Sequence, residues 1–348
     1  MNLPDLIFGW GLYSCMRGAV AGLQFAGTGL NIALCADIEP LCGGSAGLAR
    51  SECNAYIMGS TFGVVAYGTH HEQLESAINK ALDEARRFDR MLSNYRADSE
   101  LTHVNRFAGH RPVKVSGELF DFLSACVSYS RASEGTFDIT VGPLMKLAGF
   151  YKGTGRIPNR DEVALSLQGV DYRNVALDEK CKTVRFTNDK VELDPGGAGK
   201  GFAVDKMAGL LKQEQVQSAL ISAGGSTLYA LGAPPGKPGW KVNIKDPRHP
   251  SRTADSVYLK NESISTSGSY EKSLWADGKF WSHIIDPRTG YPAEGTLSVS
   301  IIAARALDSE AWAKPYYIQG RAWAERHKLP EFRVFYCEDK PSTPGVWL

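Results

Sequence analysis

Apolar residues recur at every third or fourth position in three segments of the chain, the spacing that gives a helix one buried face. The clearest segment is residues 71–94, and shorter helices are predicted over residues 118–131, with Ser116 as the N-cap, and over residues 200–213. In the first helix the positions expected to face the core are Leu74, Ile78, Leu82, Ala85, Phe88 and Met91.

Short runs rich in β-branched and aromatic residues predict strands between and after these helices. A first strand, entered through a small-residue turn, is expected over residues 56–67, and the others over residues 184–186, 191–193, 219–221, 241–244, 256–259, 282–285, 297–302 and 332–336. Helices and strands do not alternate strictly. The pattern therefore favours an α+β fold with mixed, mostly antiparallel sheets packed with helices over a doubly wound parallel sheet.

Composition excludes some classes of function. The chain has 348 residues, with 39 Lys and Arg against 38 Asp and Glu, and no basic run stands out. Neither nucleic acid nor an anionic membrane surface is therefore indicated as the main partner. None of the seven cysteines forms a C-x-x-C pair, which argues against a zinc site of the usual spacing. We interpret Cys126, Cys181 and Cys337 as buried thiols or neutral surface residues, not as a disulfide framework.

The segment before residue 58 differs from the rest of the chain. Residues 3–36 are apolar and rich in Gly and Ala, with Arg17 as the only basic residue, which is typical of an export signal. A start at Met16 would suit such a signal, and Cys35 follows a leucine, which makes a poor lipoprotein box. We expect an exported or membrane-anchored protein on the periplasmic side of the cell envelope. The alternative is a mis-assigned start or a disordered extension before a cytoplasmic domain.

Glycine-rich turns are the first sign of chemistry. Residues 194–201 follow a predicted strand and open a helix, so their backbone N–H groups can approach a phosphate, with Lys200 as the countercharge. Gly201 after Lys200 excludes a P-loop, which needs Ser or Thr there. Two further turns, residues 221–226 and 264–270, are rich in Gly and hydroxyl side chains. Each turn alone is more typical of a structural turn than of a ligand contact.

A further string, residues 283–292, is more specific. It begins with His283, and its Asp286-Pro287 and Thr289-Gly290 pairs predict a tight loop at the end of a strand. His283 alone could equally be a core histidine.

Taken in order, these strings resemble the FAD:protein FMN transferase (ApbE) family. The resemblance runs from Met58 to Gly320 and rests on residues 58–61, 92–105, 135–144, 194–205, 223–225, 266–268 and 283–292. It implies FAD binding in a cleft between two intimate subdomains, activation of the pyrophosphate by magnesium, and transfer of FMN to a Thr or Ser hydroxyl of an acceptor protein with release of AMP. The domain would therefore span residues 58–348, after an extension over residues 1–57.

The resemblance also implies roles for individual residues. Met58 and Tyr95 match positions at the flavin end, where a thioether and an aromatic ring suit the isoalloxazine. The backbone carbonyl of Gly197 matches a ligand of the metal. The other positions that match contacts to FAD are Thr136, Phe137, Asp138, Asp194, Lys200, Thr266 and Ser267.

The pattern breaks where the metal site should be completed. Family members carry an acidic ligand and, four residues later, a threonine ligand; counted back from Gly320, these positions hold Glu310 and Lys314. Lysine offers no lone pair when charged and repels a divalent ion. Pro315 also removes one helical hydrogen bond. A second register, with Asp308 as the acid, places Trp312 at the threonine position and fits less well.

Three functions follow from these observations. The leading one is an FMN transferase, and a second is an FAD pyrophosphatase that releases FMN to water. The third is a flavin-binding pseudoenzyme, which the residues at positions 310, 314 and 315 favour. Metal binding would be weakened, altered or replaced by the Lys314 ammonium.

Overall fold

Strands provide most of the framework of the computed structural model, which describes residues 48–149, 157–249, 251–269, 273–276, 279–340 and 343–348. The strands are β1 (Ala49–Ile57), β2 (Ser60–Gly68), β3 (Val113–Lys114), β4 (Val175–Asp178), β5 (Thr183–Phe186), β6 (Ser218–Ala223), β7 (Thr227–Leu231), β8 (Trp240–Lys245), β9 (Thr253–Leu259), β10 (Glu262–Gly268), β11 (Ser273–Ala276), β12 (Lys279–Ser282), β13 (Thr296–Ala303), β14 (Arg333–Glu338) and β15 (Val346–Trp347). The helices are α1 (His71–Leu92), α2 (Glu100–Phe107), α3 (Gly117–Ala132), α4 (Gly142–Leu147), α5 (Arg160–Leu167), α6 (Gly199–Gln213), α7 (Ala306–Gln319) and α8 (Arg321–Arg326).

The main sheet has eight strands in the order β1-β2-β6-β7-β10-β13-β14-β15, and every pair in it is antiparallel. Smaller sheets are β3-β5-β4, the hairpin β8-β9 and the hairpin β11-β12. The only parallel pairing among the described residues is an isolated bridge between Val141 and Glu192. The predicted α+β class with mostly antiparallel sheets is confirmed.

Both faces of the main sheet are covered. Side chains alternate along a strand, so Val64 of β2 belongs to one core cluster with α1 and α6, whereas Val65 belongs to another with the hairpin β8-β9. A third cluster joins α7 to β13 and β14. The described residues belong to one compact unit. The division into two subdomains that the resemblance implies stays a prediction.

The predicted helices are confirmed with small shifts at their ends. The apolar positions of α1 face the core as expected, and Ser116 caps α3 by accepting a hydrogen bond from the Leu119 N–H. Cys126 and Cys337 are buried free thiols, and Cys181 is exposed and free. Within the described part of the chain, no helix combines the length and the apolar composition needed to cross a bilayer.

The strand predicted over residues 56–67 is confirmed from Ser60 onward as β2, entered through a turn, but its continuation back to residue 56 is wrong. Two strands, β1 and β2, meet there in a hairpin whose turn residues Met58 and Gly59 have φ of 51° and 67°. A two-residue turn with positive φ at both positions matches the twist of a hairpin, but methionine rarely adopts it. Strand β1, which pairs with β2, lies before the domain boundary predicted at residues 57 and 58, and that boundary stays a prediction.

Two other predicted strands differ from the structure. Residues 191–193 do not form a strand; Glu192 makes one isolated β-bridge, to Val141. Of residues 282–285, only Ser282 belongs to a strand, β12, and Ile285 forms an isolated bridge to Pro292. The export signal predicted in residues 3–36, the alternative start at Met16 and the poor lipoprotein box at Cys35 fall outside the described residues.

Candidate functional site

Two asparagine side chains fix the start of the turn after Leu193 by hydrogen bonds to the Leu193 backbone. Asn105 accepts a hydrogen bond from the Leu193 N–H at 2.8 Å, and its amide donates to the Leu193 carbonyl at 3.0 Å. Asn94 donates to the same carbonyl at 3.2 Å. The residue string 92–105 therefore positions the glycine-rich turn, because a buried backbone group needs a partner.

Asp194 begins that turn. Its backbone N–H donates to the Ile139 carbonyl at 2.8 Å, and its buried carboxylate accepts from the Gly196 N–H at 2.6 Å. A short 3-10 turn over Pro195–Gly197 then leads directly into α6 at Gly199. The start of a helix with its N–H groups and positive dipole end is therefore presented next to the turn.

Tyr95 lies close to Asp194. Burial of its hydroxyl, and after it the charge of Asp194, raises the pKa of Tyr95. The side chain as a whole is 68% exposed, which leaves its ring open to a ligand. The structure thus places Tyr95 beside the predicted cofactor turn, and its exposure differs from that of a core tyrosine.

Lys200 connects the glycine-rich turn to the main sheet. Its ammonium donates to the Ser226 hydroxyl at 2.6 Å, and the Ser226 carbonyl accepts from the Thr266 N–H at 2.8 Å. The Thr266 hydroxyl shares a hydrogen bond of 2.7 Å with Ser300. Three segments that are far apart in the sequence therefore meet around Lys200 and Ser226.

The Met58 turn lies next to the second glycine cluster. The Gly224 N–H donates to the Thr61 carbonyl at 2.8 Å. A Cβ on Gly224 would lie 2.2 Å from the Ser60 hydroxyl, and Gly224 has φ of 65°, so this position requires glycine. The close approach brings Met58, which is half-buried, to the same end of the sheet as Ser226.

Ser267 faces the opposite side of β10 from Thr266. The alternation along the strand places Ser265 and Ser267 on the same face, and both are buried. The Ser265 hydroxyl lies 2.8 Å from that of Ser309 in α7, which donates in turn to the Ala306 carbonyl. The face of β10 that carries Ser265 and Ser267 is thus joined to α7.

Thr136, Phe137 and Asp138 are all buried. The Thr136 hydroxyl accepts from the Gln319 amide at 3.1 Å, which ties this loop to the end of α7. The Asp138 carboxylate accepts from the Thr140 N–H and hydroxyl at 2.8 and 2.7 Å and from the Tyr172 N–H at 2.9 Å. Burial raises the pKa of Asp138. Its carboxylate therefore organises the loop.

Asp138 also lines a pocket of about 420 Å³ that reaches the string 283–292. In that string Asp286 accepts hydrogen bonds from the backbone and the guanidinium of Arg288, at 2.8 to 3.0 Å. Gly290, with φ of 78°, packs so closely against Val163 that a Cβ would lie 2.5 Å from its methyl group. The predicted tight loop is confirmed. The charged residues around the pocket include Arg131, Glu134, Asp171, Arg173 and Arg288.

The three positions that match metal ligands lie together. A Cβ on Gly197 would lie 3.1 Å from the Phe137 ring and 3.8 Å from Cε of Lys314. The Lys314 ammonium donates to the Glu310 carbonyl, one helical turn earlier, at 2.8 Å. Helix α7 continues through Pro315, which supplies no N–H to the carbonyl of Ala311.

Glu310 is only 3% exposed, and its carboxylate is already engaged. One oxygen accepts from the Gly201 N–H at 2.5 Å, and the other lies 3.9 Å from the Lys200 ammonium. Asp308, the acid of the second register, interacts instead with Tyr129 and Arg305. Glu310 is therefore the acid that faces the turn.

These residues do not fit the magnesium ligand set that the resemblance implies. Magnesium takes oxygen ligands in near-octahedral geometry, whereas Lys314 contributes a cation without a lone pair. The Glu310 carboxylate is held by a buried N–H and faces Lys200. The described part of the chain contains no group of three or more His, Cys, Asp or Glu side chains that could hold a metal ion.

Sequence reasoning missed several residues that shape the site. Ser226 and Gln319 connect it across long sequence separations. Asp205 of α6 accepts from the N–H groups of Ala306 and Leu307 at 2.7 and 3.0 Å, and so caps the start of α7. Capping is usually read from the residue just before a helix, so a cap from another helix leaves no local signal.

Comparison with known proteins identifies the family of this chain. The model of the ApbE family matches residues 58–332. The FAD:protein FMN transferase of Klebsiella pneumoniae is 32% identical over 263 residues, which cover 74% of this chain and 79% of that protein. The enzyme of the same name from Treponema pallidum is 30% identical, covering 80% and 81%.

Solved structures show the same fold. The ApbE protein of Thermotoga maritima superposes with a TM-score of 0.78 at 27% identity, covering 84% of this chain and 95% of that one. The flavinyl transferase ApbE of Pseudomonas stutzeri gives a TM-score of 0.75 at 25% identity, covering 86% and 94%. Fold and sequence agree over most of the chain, which therefore belongs to the ApbE family.

Proposed function

We propose that this chain is an FAD:protein FMN transferase, which moves FMN from FAD to a Thr or Ser hydroxyl of an acceptor protein and releases AMP. Relatives that carry this name support the proposal. The observation that carries it is the convergence on Lys200. Its ammonium contacts Ser226, and through Ser226 the turn at Thr266, and it also faces Glu310.

The convergence suits a pyrophosphate. The start of α6 provides the positive end of a helix dipole, and Lys200, whose side chain is 25% exposed, provides a full charge beside it. The Ser226 hydroxyl stands next to Lys200 and can donate to a phosphate oxygen, and Thr266 is joined to it through the Ser226 carbonyl. Charge-assisted hydrogen bonds of this kind are about twice as strong as neutral ones.

The flavin ring needs an apolar surface. Tyr95 exposes its ring beside Asp194, and Met58 stands in the turn next to Gly224. An aromatic face and a polarizable thioether suit a flat heteroaromatic ring. We propose that these two side chains bind the isoalloxazine while the turn over residues 194–201 holds the pyrophosphate.

In the reaction the oxygen of the acceptor hydroxyl forms a bond to the phosphorus of the FMN half. The bond from that phosphorus to the bridging oxygen breaks, and AMP leaves with the bridging oxygen and its electron pair. The hydroxyl proton passes to the solvent. Positive groups near the leaving phosphate, Lys200 first among them, stabilise the charge that develops there. Magnesium, which the resemblance implies, stays a prediction for this chain.

The function is tested with a protein that an ApbE relative modifies, supplied in its unmodified form. It is incubated with the purified chain and FAD, with and without Mg²⁺, and a copy with the target Thr changed to Val serves as control. Flavin fluorescence on the denatured Thr acceptor, absent from the Val copy, is the expected result. AMP and FMN without labelled acceptor would indicate a pyrophosphatase. Bound FAD without either product would indicate a pseudoenzyme.

We also propose that the protein acts in the cell envelope, anchored or exported through its N-terminal segment. The apolar composition of residues 3–36, with Arg17 as their only basic residue, supports this. Fractionation of cells that express the full chain tests it. The expected result is recovery in the membrane or periplasmic fraction, and recovery in the cytoplasm alone would contradict it.

A further inference from the structure

Lys314 stands where the resemblance implies a ligand of a divalent ion. Its side chain turns back along α7, so that the ammonium donates to the Glu310 carbonyl at 2.8 Å. Its Cε is 3.8 Å from the position of a Cβ on Gly197. The positive charge of Lys314 is therefore placed beside the turn that leads into α6.

The packing around Gly197 keeps the lysine in that place. The Phe137 ring closes one side of Gly197, at 3.1 Å from a Cβ position. Phe137 is itself buried, and its N–H donates to the Ser133 hydroxyl at 3.0 Å. The aliphatic stem of Lys314 lies near the same glycine, and the residue is half-buried. Such a stem can pack against apolar surface while its charged end reaches a polar group.

Lys200 and Lys314, the lysine pair, both interact with Glu310. Lys200 approaches its carboxylate at 3.9 Å, and Lys314 donates to its backbone carbonyl. The carboxylate compensates one of the two positive charges. A further carboxylate, that of Asp194, accepts the Gly196 N–H at the beginning of the turn. The four side chains together carry no net charge; the two ammonium groups suit an anionic phosphate and repel a divalent cation.

We propose that Lys314 replaces the divalent ion in this chain, and that the lysine pair neutralises the pyrophosphate of FAD so that FMN transfer proceeds without a divalent metal. The proposal rests on the proposed function. Bond making and breaking are as described there: the acceptor oxygen binds the FMN phosphorus, AMP departs with the bridging oxygen, and the proton goes to solvent. Lys314 stabilises the departing phosphate through its fixed charge.

Metal dependence of transfer is the first test. The purified chain, acceptor and FAD are assayed for covalent flavin in excess EDTA and in excess Mg²⁺. The wild-type rate is expected to be the same in both, within error. Lys314→Thr restores an oxygen and removes the charge; its rate in EDTA should fall by about 100-fold or more, and Mg²⁺ should restore it. Lys241→Thr, an exposed change on β8, should behave like the wild type.

Lys314→Met keeps an apolar side chain but removes the charge. It replaces Lys314→Thr in the EDTA assay if the threonine variant folds poorly. Its transfer rate in EDTA should also fall, with FAD binding and secondary structure as the checks on folding. Loss of wild-type activity in EDTA, with recovery in Mg²⁺, would overturn the proposal. The proposal would also be overturned if Lys314→Thr transferred FMN in Mg²⁺ while the wild type did not, because the lysine would then block the reaction.

Metal binding is the second test, and it does not depend on catalysis. Mg²⁺ is titrated calorimetrically into FAD-loaded protein. No micromolar binding is expected for the wild type, and binding at least about tenfold tighter is expected for Lys314→Thr, because a repulsive charge is replaced by a ligand oxygen. Micromolar binding by the wild type overturns the proposal. If no variant transfers FMN under either condition, the proposed function fails, whereas the titration still decides whether Lys314 excludes the metal.

Discussion

Gly201 of α6 packs directly against the backbone of Ala306 at the start of α7. A Cβ on Gly201 would lie 2.4 Å from the Ala306 carbonyl oxygen and 2.9 Å from Cα of Leu307. Backbone atoms cannot turn aside as a flexible side chain can. The close contact of these two helix ends therefore requires glycine, and it fixes how Glu310 approaches α6.

Gly201→Ala should accordingly destabilise the fold by about 3 kcal/mol, because the added methyl group pushes α6 and α7 apart. Gly209→Ala, in the same helix, is the matched control, since nothing lies within 4 Å of its Cβ position. The control should be neutral or more stable by about 0.5–1 kcal/mol. Urea unfolding without FAD measures both. Equal stability of the two variants would contradict the close contact.

Glu310 should contribute to stability through its hydrogen bond to the Gly201 N–H. Glu310→Ala leaves that buried N–H without its partner, which should cost about 1–3 kcal/mol in addition to the lost packing. Glu310→Gln keeps an acceptor oxygen and should lose less. Thermal unfolding of the two variants distinguishes them, and an alanine variant as stable as the glutamine variant would refute the role of the hydrogen bond.

Asp205 should make stability depend on pH. Burial raises the pKa of Asp205 to about 6, from an ordinary value of 3.8. Between these values the native state retains the proton more tightly than the unfolded chain does. The stabilisation is therefore full below pH 3.8 and is lost as pH rises through 6, by up to about 3 kcal/mol for a shift of this size.

Asp205→Asn tests that dependence because the amide does not ionise. The difference in unfolding free energy between wild type and variant should decrease as pH rises from about 4 to about 7. The variant should also be less stable overall, since it has one acceptor oxygen for the N–H groups of Ala306 and Leu307. A difference in unfolding free energy that stays constant or grows with pH would show that folding does not raise the pKa of Asp205.

Lys200 should determine the affinity for FAD. Lys200→Met removes a charge-assisted contact to the pyrophosphate, so the Kd should rise by about tenfold or more. Lys212→Met is the control, because Lys212 is at the other end of α6 and donates to Tyr229. Fluorescence titration of FAD measures both values. Equal affinity in the two variants would place the pyrophosphate away from Lys200.

Local signals in the sequence predict part of this fold well. The buried face of α1 follows from the spacing of Leu74, Ile78 and Leu82, because helix periodicity depends only on neighbouring residues. At Met58 the small residues predict a turn but not the hairpin in which β1 pairs with β2. Residues 56–67 form a continuous β-rich run, and the Met-Gly turn lacks the Asn-Gly or Asp-Gly pair typical of this geometry.

The sequence predicts which positions lie together at the turn before α6 but not the contacts between them. The resemblance identifies Gly197, Glu310 and Lys314 as neighbours, and the structure places them together. It does not predict that Glu310 binds the Gly201 N–H or that Asp205 caps α7. Each of these bonds spans about a hundred residues, so its geometry depends on how α6 and α7 pack, and no local pattern contains that information.

The ratio of AMP released to flavin attached is the most direct test of the central claim. Both products are measured through one time course, with AMP by chromatography and covalent flavin by absorbance of the denatured acceptor. Transfer predicts one AMP for each flavin on the acceptor throughout, and no excess AMP when the acceptor is left out. AMP formed in excess of attached flavin, or independently of the acceptor, would contradict FMN transfer as the function of this chain.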